Sequence, residues 1–176
     1  MRKILVCTTA ALLIAAVGMA IAQTGTPAGT TPPATTGMTA SAMTATTPTE
    51  LKWGPPPPVF EQTAQMALVS GDPSKAGLYC VRLKMPAGYK IMPHFHPTDE
   101  NVTVISGSFA LGSGDKFDAA TMKSLPAGSF GLLPAQMHHY AMAKTACIVQ
   151  VHGMGPFSLT YVNPADDPSM KKTMGK

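Results

Sequence analysis

From Phe60 onward the chain is interrupted at short intervals by strong backbone breakers: Gly71-Asp72-Pro73, Pro86-Ala87-Gly88, Pro97-Thr98-Asp99, Ser106-Gly107-Ser108, Pro126-Ala127-Gly128 and Gly153–Pro156. Proline removes a backbone donor and glycine admits left-handed backbone, so such clusters end regular elements. Most of the pieces between them are too short for a stable helix and match the length of strands. Strands are expected near 64–69, 78–85, 90–96, 101–106, 108–112, 129–133, 138–143, 146–152 and 157–162. One weak helical pattern stands at 116–123, where Phe117, Ala120 and Lys123 share a face; an irregular loop is the alternative. The expected fold class is all-β, a sandwich or barrel.

Composition qualifies this only once the chain is divided. Charged residues are 12% and apolar ones 45% of the 176 residues, but neither is evenly spread. Met1-Arg2-Lys3 followed by an apolar run to Val17 and by Ala20-Ile21-Ala22 reads as a signal peptide over 1–22, cleaved before Gln23. The alternative is a retained anchor, the one route by which this chain would meet a membrane. Residues 23–52 are rich in Thr, Pro and Ala and poor in large apolar side chains, the composition of a disordered linker. Trp53 and Pro55–Pro58 favour an extended polyproline stretch, either a ligand for a proline-binding partner or a segment laying its Trp on the domain that follows. That domain is expected over 53–166, with a flexible tail over 167–176. The protein is therefore read as exported, to the periplasm or beyond the cell.

The formal charge of +4 falls to +2 without Arg2 and Lys3. No basic stripe alternates with aromatics, which argues against nucleic acid as a partner. Three cysteines are too few for a disulfide-dense miniprotein.

All five histidines, His94, His96, His138, His139 and His152, fall within the expected domain. Strand residues at i and i+2 share a face, so His94 and His96 present two imidazoles together with Phe95 opposite. Pro97 ends that strand, and Glu100 can return a carboxylate to the same side. His139 opens a later strand and can supply a third imidazole. Three neutral imidazoles and a carboxylate suit a divalent transition metal with positions left open: Fe, Mn, Zn, Ni or Cu.

The spacing Gly88, His94, His96, Glu100, Gly107, followed by Gly128, Pro134 and His139, resembles the two paired motifs of the cupin superfamily over about residues 60–162. More narrowly, the chain looks like the small single-domain exported bacterial cupins. It departs from the pattern at Gln136, where glycine is usual, and at Ala143, where asparagine is frequent. The resemblance implies a double-stranded β-helix, a jelly-roll barrel, with His94, His96, Glu100 and His139 as metal ligands inside it. The family spacing selects His139 and turns His138 outward, though a bulge would exchange them. It also sets the strand of Cys80 beside that of Cys147, so a cross-strand disulfide is conceivable if the register agrees. Cupins often form homodimers.

Further pocket candidates come from alternation. His152, Gln150 and Ile148 share one face of a late strand, either inward beside the metal or outward. If inward, His152 can take a proton and Gln150 can hold a substrate. His138 at a pocket mouth and Tyr140 are further candidates. Met85, Met92, Met137, Met142 and Met154 could approach the site, but methionine also fills irregular cores. Two functions remain: a metal-dependent oxidoreductase of dioxygenase type acting on a small molecule, and a non-catalytic module binding a metal or small ligand.

Overall fold

The structure is a computed structural model and describes residues 43–171. The expected signal peptide, the linker up to residue 42 and the tail from 172 lie outside the described residues. Among the described residues there are eleven strands: β1 Trp53–Gly54, β2 Gln65–Ser70, β3 Gly77–Met85, β4 Lys90–Phe95, β5 Glu100–Ser106, β6 Ser108–Ser113, β7 Lys123–Pro126, β8 Phe130–Leu133, β9 His139–Ala143, β10 Cys147–Gly155 and β11 Thr160–Tyr161. They form two antiparallel sheets, ordered β1-β2-β3-β10-β5-β8 and β11-β4-β9-β6-β7. The chain is all-β, as the breaker spacing requires.

The core lies between the sheets and follows from strict alternation on the central strands. Tyr79, Val81, Leu83 and Met85 of β3 are buried, as are Cys147, Val149 and Val151 of β10 and Val102 and Val104 of β5. Cross-strand register aligns them into rows, Val81 with Val151 and Val102, then Leu83 with Val149 and Val104. Rows of this kind hold a sheet together, and each fully buried Val or Leu contributes roughly 1.5–3 kcal/mol.

Two local devices matter for the site. Gly107, with φ of 74°, turns β5 into β6, and these strands belong to different sheets. In β4, Ile91 pairs with Ala141 and His94 with His139, so three steps on β4 match two on β9. This is a bulge at Met92-Pro93. It tolerates proline, which has no ladder hydrogen bond to give, and it shifts the phase so that Ile91 and His94 both face the interior.

Several expectations need correction. Residues 116–122 form a loop, not a helix: the Asp118 carboxylate accepts the Ala120 N–H at 2.9 Å, an Asx turn that competes with helical bonding. β7 was not expected, because only Leu125 of its four residues is buried; it is an edge strand. The expected strand at 157–162 shrinks to β11, since the Phe157 N–H bonds the Pro73 carbonyl at 2.7 Å instead of a ladder partner. Cys80 and Cys147 are both free thiols. Their strands do pair, but Cys80 faces His152 and Cys147 faces Met85. They stand five steps apart on the ladder, roughly 17 Å, far beyond disulfide reach. Within the expected tail, Pro168–Lys171 is a short helix, capped by Asp167, whose carboxylate accepts the Ser169 N–H.

Trp53 does lie against the domain. It pairs with Ala67, and the Lys84 ammonium sits 4.4 Å from its ring centroid, a cation–π contact on the outer face of the six-stranded sheet. No helix among the described residues is long and apolar enough to cross a membrane.

Candidate metal centre

The bulge in β4 points His94 and His96 inward, and β9 begins with His139 directly opposite His94. The three residues are 3%, 6% and 2% exposed. Burying three imidazoles is costly unless each is hydrogen-bonded, and each is, through Nδ1. The Nδ1–H of His94 donates to the Met92 carbonyl at 2.7 Å, that of His96 to the Ser158 carbonyl at 2.7 Å, and that of His139 to the Met137 carbonyl at 2.8 Å. A carbonyl only accepts, so each ring carries a proton on Nδ1, and in the neutral form its Nε2 is left with a free lone pair. One ligand atom from each ring lies within 4.8 Å of the others. The Nε2 atoms of His96 and His139 are buried with no hydrogen-bond partner among the described residues.

Glu100, the first residue of β5, completes the group. Its Oε2 is 3.4 Å from His139 Nε2 and 3.7 Å from His96 Nε2. Burial pushes its carboxyl upward; a hydrogen bond from His139, and the positive charge that the His96, His139 and His94 rings carry when protonated, outweigh that and hold it below the usual carboxylate range. Glu100 is thus a carboxylate facing three imidazoles. Such a set of nitrogen donors, each ring oriented by a backbone acceptor, is capable of coordinating a divalent metal ion.

Burial, followed by the neighbouring His139 and His96, drives His94 down from its ordinary 6.5 to about 3. The folded state therefore takes up its proton only near pH 3, whereas the unfolded chain does so near 6.5. Folding stability from this residue is complete above pH 6.5 and is lost as pH falls towards 3, at about 1.4 kcal/mol per pH unit. Chelator-treated protein is expected to show this slope in urea titrations between pH 6 and 4. His94→Gln is expected to flatten it.

The turn before β9 carries the departure at Gln136. Its φ is 64°, in the left-handed region, and its N–H donates to the His96 carbonyl at 2.8 Å, tying this turn to the ligand strand. Left-handed backbone costs a non-glycine residue about 1–2 kcal/mol. Gln136→Gly is expected to raise unfolding free energy by about 1 kcal/mol in denaturant melts, since the bond uses only backbone. Asp99 secures the same region by accepting the Ala135 N–H at 2.7 Å.

His94, His96, Glu100 and His139 line a cavity of about 60 Å³ between the sheets. Its remaining walls are apolar, including Phe60, Met66, Met85, Val151 and Phe157, with Tyr79 the single polar side chain beyond the four above. Phe157 sits over the site, its ring centroid 5.5 Å from that of His96 and 6.1 Å from that of Phe60.

The other candidate residues stand elsewhere. His138 is on the outside, its Nδ1 2.6 Å from the Asp115 carboxylate and its ring stacked on Phe95. Tyr140 is buried but on the opposite side of β9 from His139, its hydroxyl 3.0 Å from that of Thr121 under the 114–122 loop. Gln150 and His152 alternate with the buried Val149 and Val151 and so face outward, with Gln150 accepting from Arg82 Nε at 3.1 Å. Neither reaches the cavity. Of the methionines, Met85 lines it, as does Met66, while Met137 and Met154 are exposed. Tyr79 and Phe157 line the cavity without being among the residues the sequence singles out. Alternation with Val81 and Leu83 marks Tyr79 as inward; nothing local marks Phe157.

No protein-family model matches the sequence, and no curated protein sequence matches it either. Solved structures do. The polyketide cyclase RemF from Streptomyces resistomycificus is 16% identical with a TM-score of 0.61, covering 76% of this chain and 95% of that one. A candidate acetylacetone dioxygenase from Methylibium petroleiphilum is 18% identical with a TM-score of 0.55, covering 78% and 98%. An RmlC-like cupin from Shewanella frigidimarina is 16% identical with a TM-score of 0.50, covering 64% and 91%. At these identities the likeness speaks for the fold and leaves the chemistry to the residues. Two antiparallel sheets in this order, with three histidines converging between them, give this chain a cupin-like fold.

Proposed function

We propose that this chain is an exported metal-binding cupin, its sheets closing as a jelly-roll barrel around a divalent transition metal held by His94, His96, Glu100 and His139. The observation that carries this is the convergence of three Nε2 atoms in an apolar interior, two of them with no hydrogen-bond partner among the described residues and both beside the Glu100 carboxylate. Such atoms are costly to bury empty-handed, and a cation satisfies all of them. The leader is read as cleaved on export, which would deliver the protein to the periplasm or the medium.

A metal with open positions can bind an oxygen-donor substrate or dioxygen and polarise it. On this basis the protein is a metal-dependent oxidoreductase of dioxygenase type for a small molecule. The chain's own contribution is to orient the ligands through the Met92, Ser158 and Met137 carbonyls, to exclude water with the Phe60 and Phe157 rings, and to admit only a compact substrate. The absence of a histidine or carboxylate in the cavity beyond the ligands favours a second reading, a non-catalytic module that binds the metal and a small ligand.

Metal analysis of protein recovered from the export compartment tests the common part of both readings. Stoichiometric metal in the unmodified protein, lost in His96→Ala, is expected; its absence from the unmodified protein would sink both. With metal present, oxygen consumption across a panel of small substrates separates turnover from binding.

A further inference from the structure

Of the four tyrosines, three have their hydroxyls engaged. Tyr89 donates to the Glu61 carbonyl at 3.0 Å, Tyr161 to the Val59 carbonyl at 2.8 Å, and Tyr140 meets the Thr121 hydroxyl. Tyr79 is 4% exposed and lines the cavity, and its hydroxyl has no hydrogen bond among the described residues. The hydroxyl is not sealed among protein atoms as the His96 and His139 Nε2 atoms are; it faces the open space of the cavity, where a molecule entering the site can accept its hydrogen bond.

Its position follows from the register. Gly153 pairs with Tyr79 on one side and with Glu100 on the other, so the three form one row across β3, β10 and β5. Gly153 has no side chain, and a Cβ there would lie 3.3 Å from the Tyr79 hydroxyl oxygen and 3.0 Å from the Asp99 carbonyl. The phenol therefore leans across the gap left by Gly153 towards the strand that carries Glu100. Burial and then the Glu100 charge push the phenol up to about 12, so the hydroxyl keeps its proton and acts as a donor. Its ring is wedged edge-on against Phe157, at 6.2 Å between centroids, which limits its rotation.

The charge of the site sets what this donor meets. Resting on the metal reading above, three neutral imidazoles, one carboxylate and a divalent cation leave a net charge of about +1 in an apolar enclosure. A monoanion neutralises it, and walls of Phe, Met, Val and Leu accept an apolar body but not further hydroxyls, which would be buried unpaired. We infer that the cavity takes a small, largely apolar monoanion with an oxygen headgroup, and that the Tyr79 hydroxyl donates the hydrogen bond that orients this headgroup beside Glu100.

The test uses the metal-loaded protein, its metal content, and calorimetric titration with isobutyrate and with glycerate, anions of similar size and opposite polarity. Isobutyrate is expected to bind at least tenfold more tightly than glycerate. Tyr79→Phe, which keeps the ring, is expected to retain full metal and to bind isobutyrate about tenfold to a hundredfold more weakly, the range for a hydrogen bond to a charged group. Gly153→Ala, which crowds the hydroxyl without removing it, is expected to weaken isobutyrate at full metal occupancy and serves if Tyr79→Phe fails to fold. Full metal with unchanged isobutyrate affinity in Tyr79→Phe would overturn the Tyr79 assignment alone. Glycerate binding as tightly as isobutyrate would overturn the apolar substrate class. Loss of metal from the unmodified protein would overturn the metal reading and this inference with it.

Discussion

Saturation with a divalent transition metal, at about a hundred times its dissociation constant, is expected to raise the unfolding free energy by about 2.7 kcal/mol. For a domain of this size that is roughly ten degrees in the melting temperature. The increment arises because the donor residues converge only in the fold: β4 and the turn after it, β5 and β9 bring His94, His96, Glu100 and His139 together from segments the unfolded chain holds apart. His96→Ala is expected to gain no more than about 1 kcal/mol under the same conditions. It removes one of the two unpartnered Nε2 atoms and leaves the donor set incomplete. Scanning calorimetry at fixed free metal, with a chelator-treated reference, measures both increments. A His96→Ala protein that gains as much as the unmodified one would place the metal elsewhere.

The second large effect concerns Gly107. Its φ of 74° is strained for any side chain, and a Cβ there would lie 2.2 Å from the Ala146 carbonyl oxygen and 2.8 Å from the Cys147 Cβ. The nearest obstruction is backbone at the start of β10, a central strand that cannot retreat without disturbing β3 and β5 together. Strain of about 1–2 kcal/mol then adds to an overlap that close packing cannot absorb. Gly107→Ala is expected to cost at least about 3 kcal/mol in urea unfolding, a large part of the 5–15 kcal/mol that typically separates folded from unfolded. Gly88→Ala is the control. Its φ of 80° is similar, but nothing lies within 4 Å of its added Cβ, so it should carry the strain alone.

What could be read from the sequence divides by the physics involved. Strands bounded by glycine and proline were legible because those residues act locally; β7 was not, since Lys123, Ser124 and Pro126 give it no apolar alternation. His94, His96 and His139 were legible because ligand chemistry restricts both residue type and spacing. The face of β10 was open in the sequence reading, yet it could have been decided: Cys147, Val149 and Val151 form a more apolar set than Ile148, Gln150 and His152. The apolar set took the interior and carried His152 and Gln150 outside. For the cysteines, adjacency of the strands was foreseeable, but the register of β3 against β10 depends on how the six strands between them in the chain are placed. Tyr79 and Phe157 escaped notice for a related reason. One acquires its role by leaning over Gly153 of a strand some seventy residues later, the other by a loop bond to Pro73, and neither relation leaves a trace in neighbouring residues.

The two residues Met92 and Pro93 hold a matter of parity. β4 has one residue more than its partner needs between Ile91 and His94, and that surplus decides whether the odd or the even positions beyond it look into the cavity. Deleting one of the two would leave the apolar content of the strand nearly intact while exchanging the occupants of its two sides, sending His94 and His96 to the outside. The histidines would all be present, and their spacing to one another unchanged, but the centre would be gone. In this chain the length of a short segment, counted to the single residue, is as much a requirement of the site as the identity of its ligands.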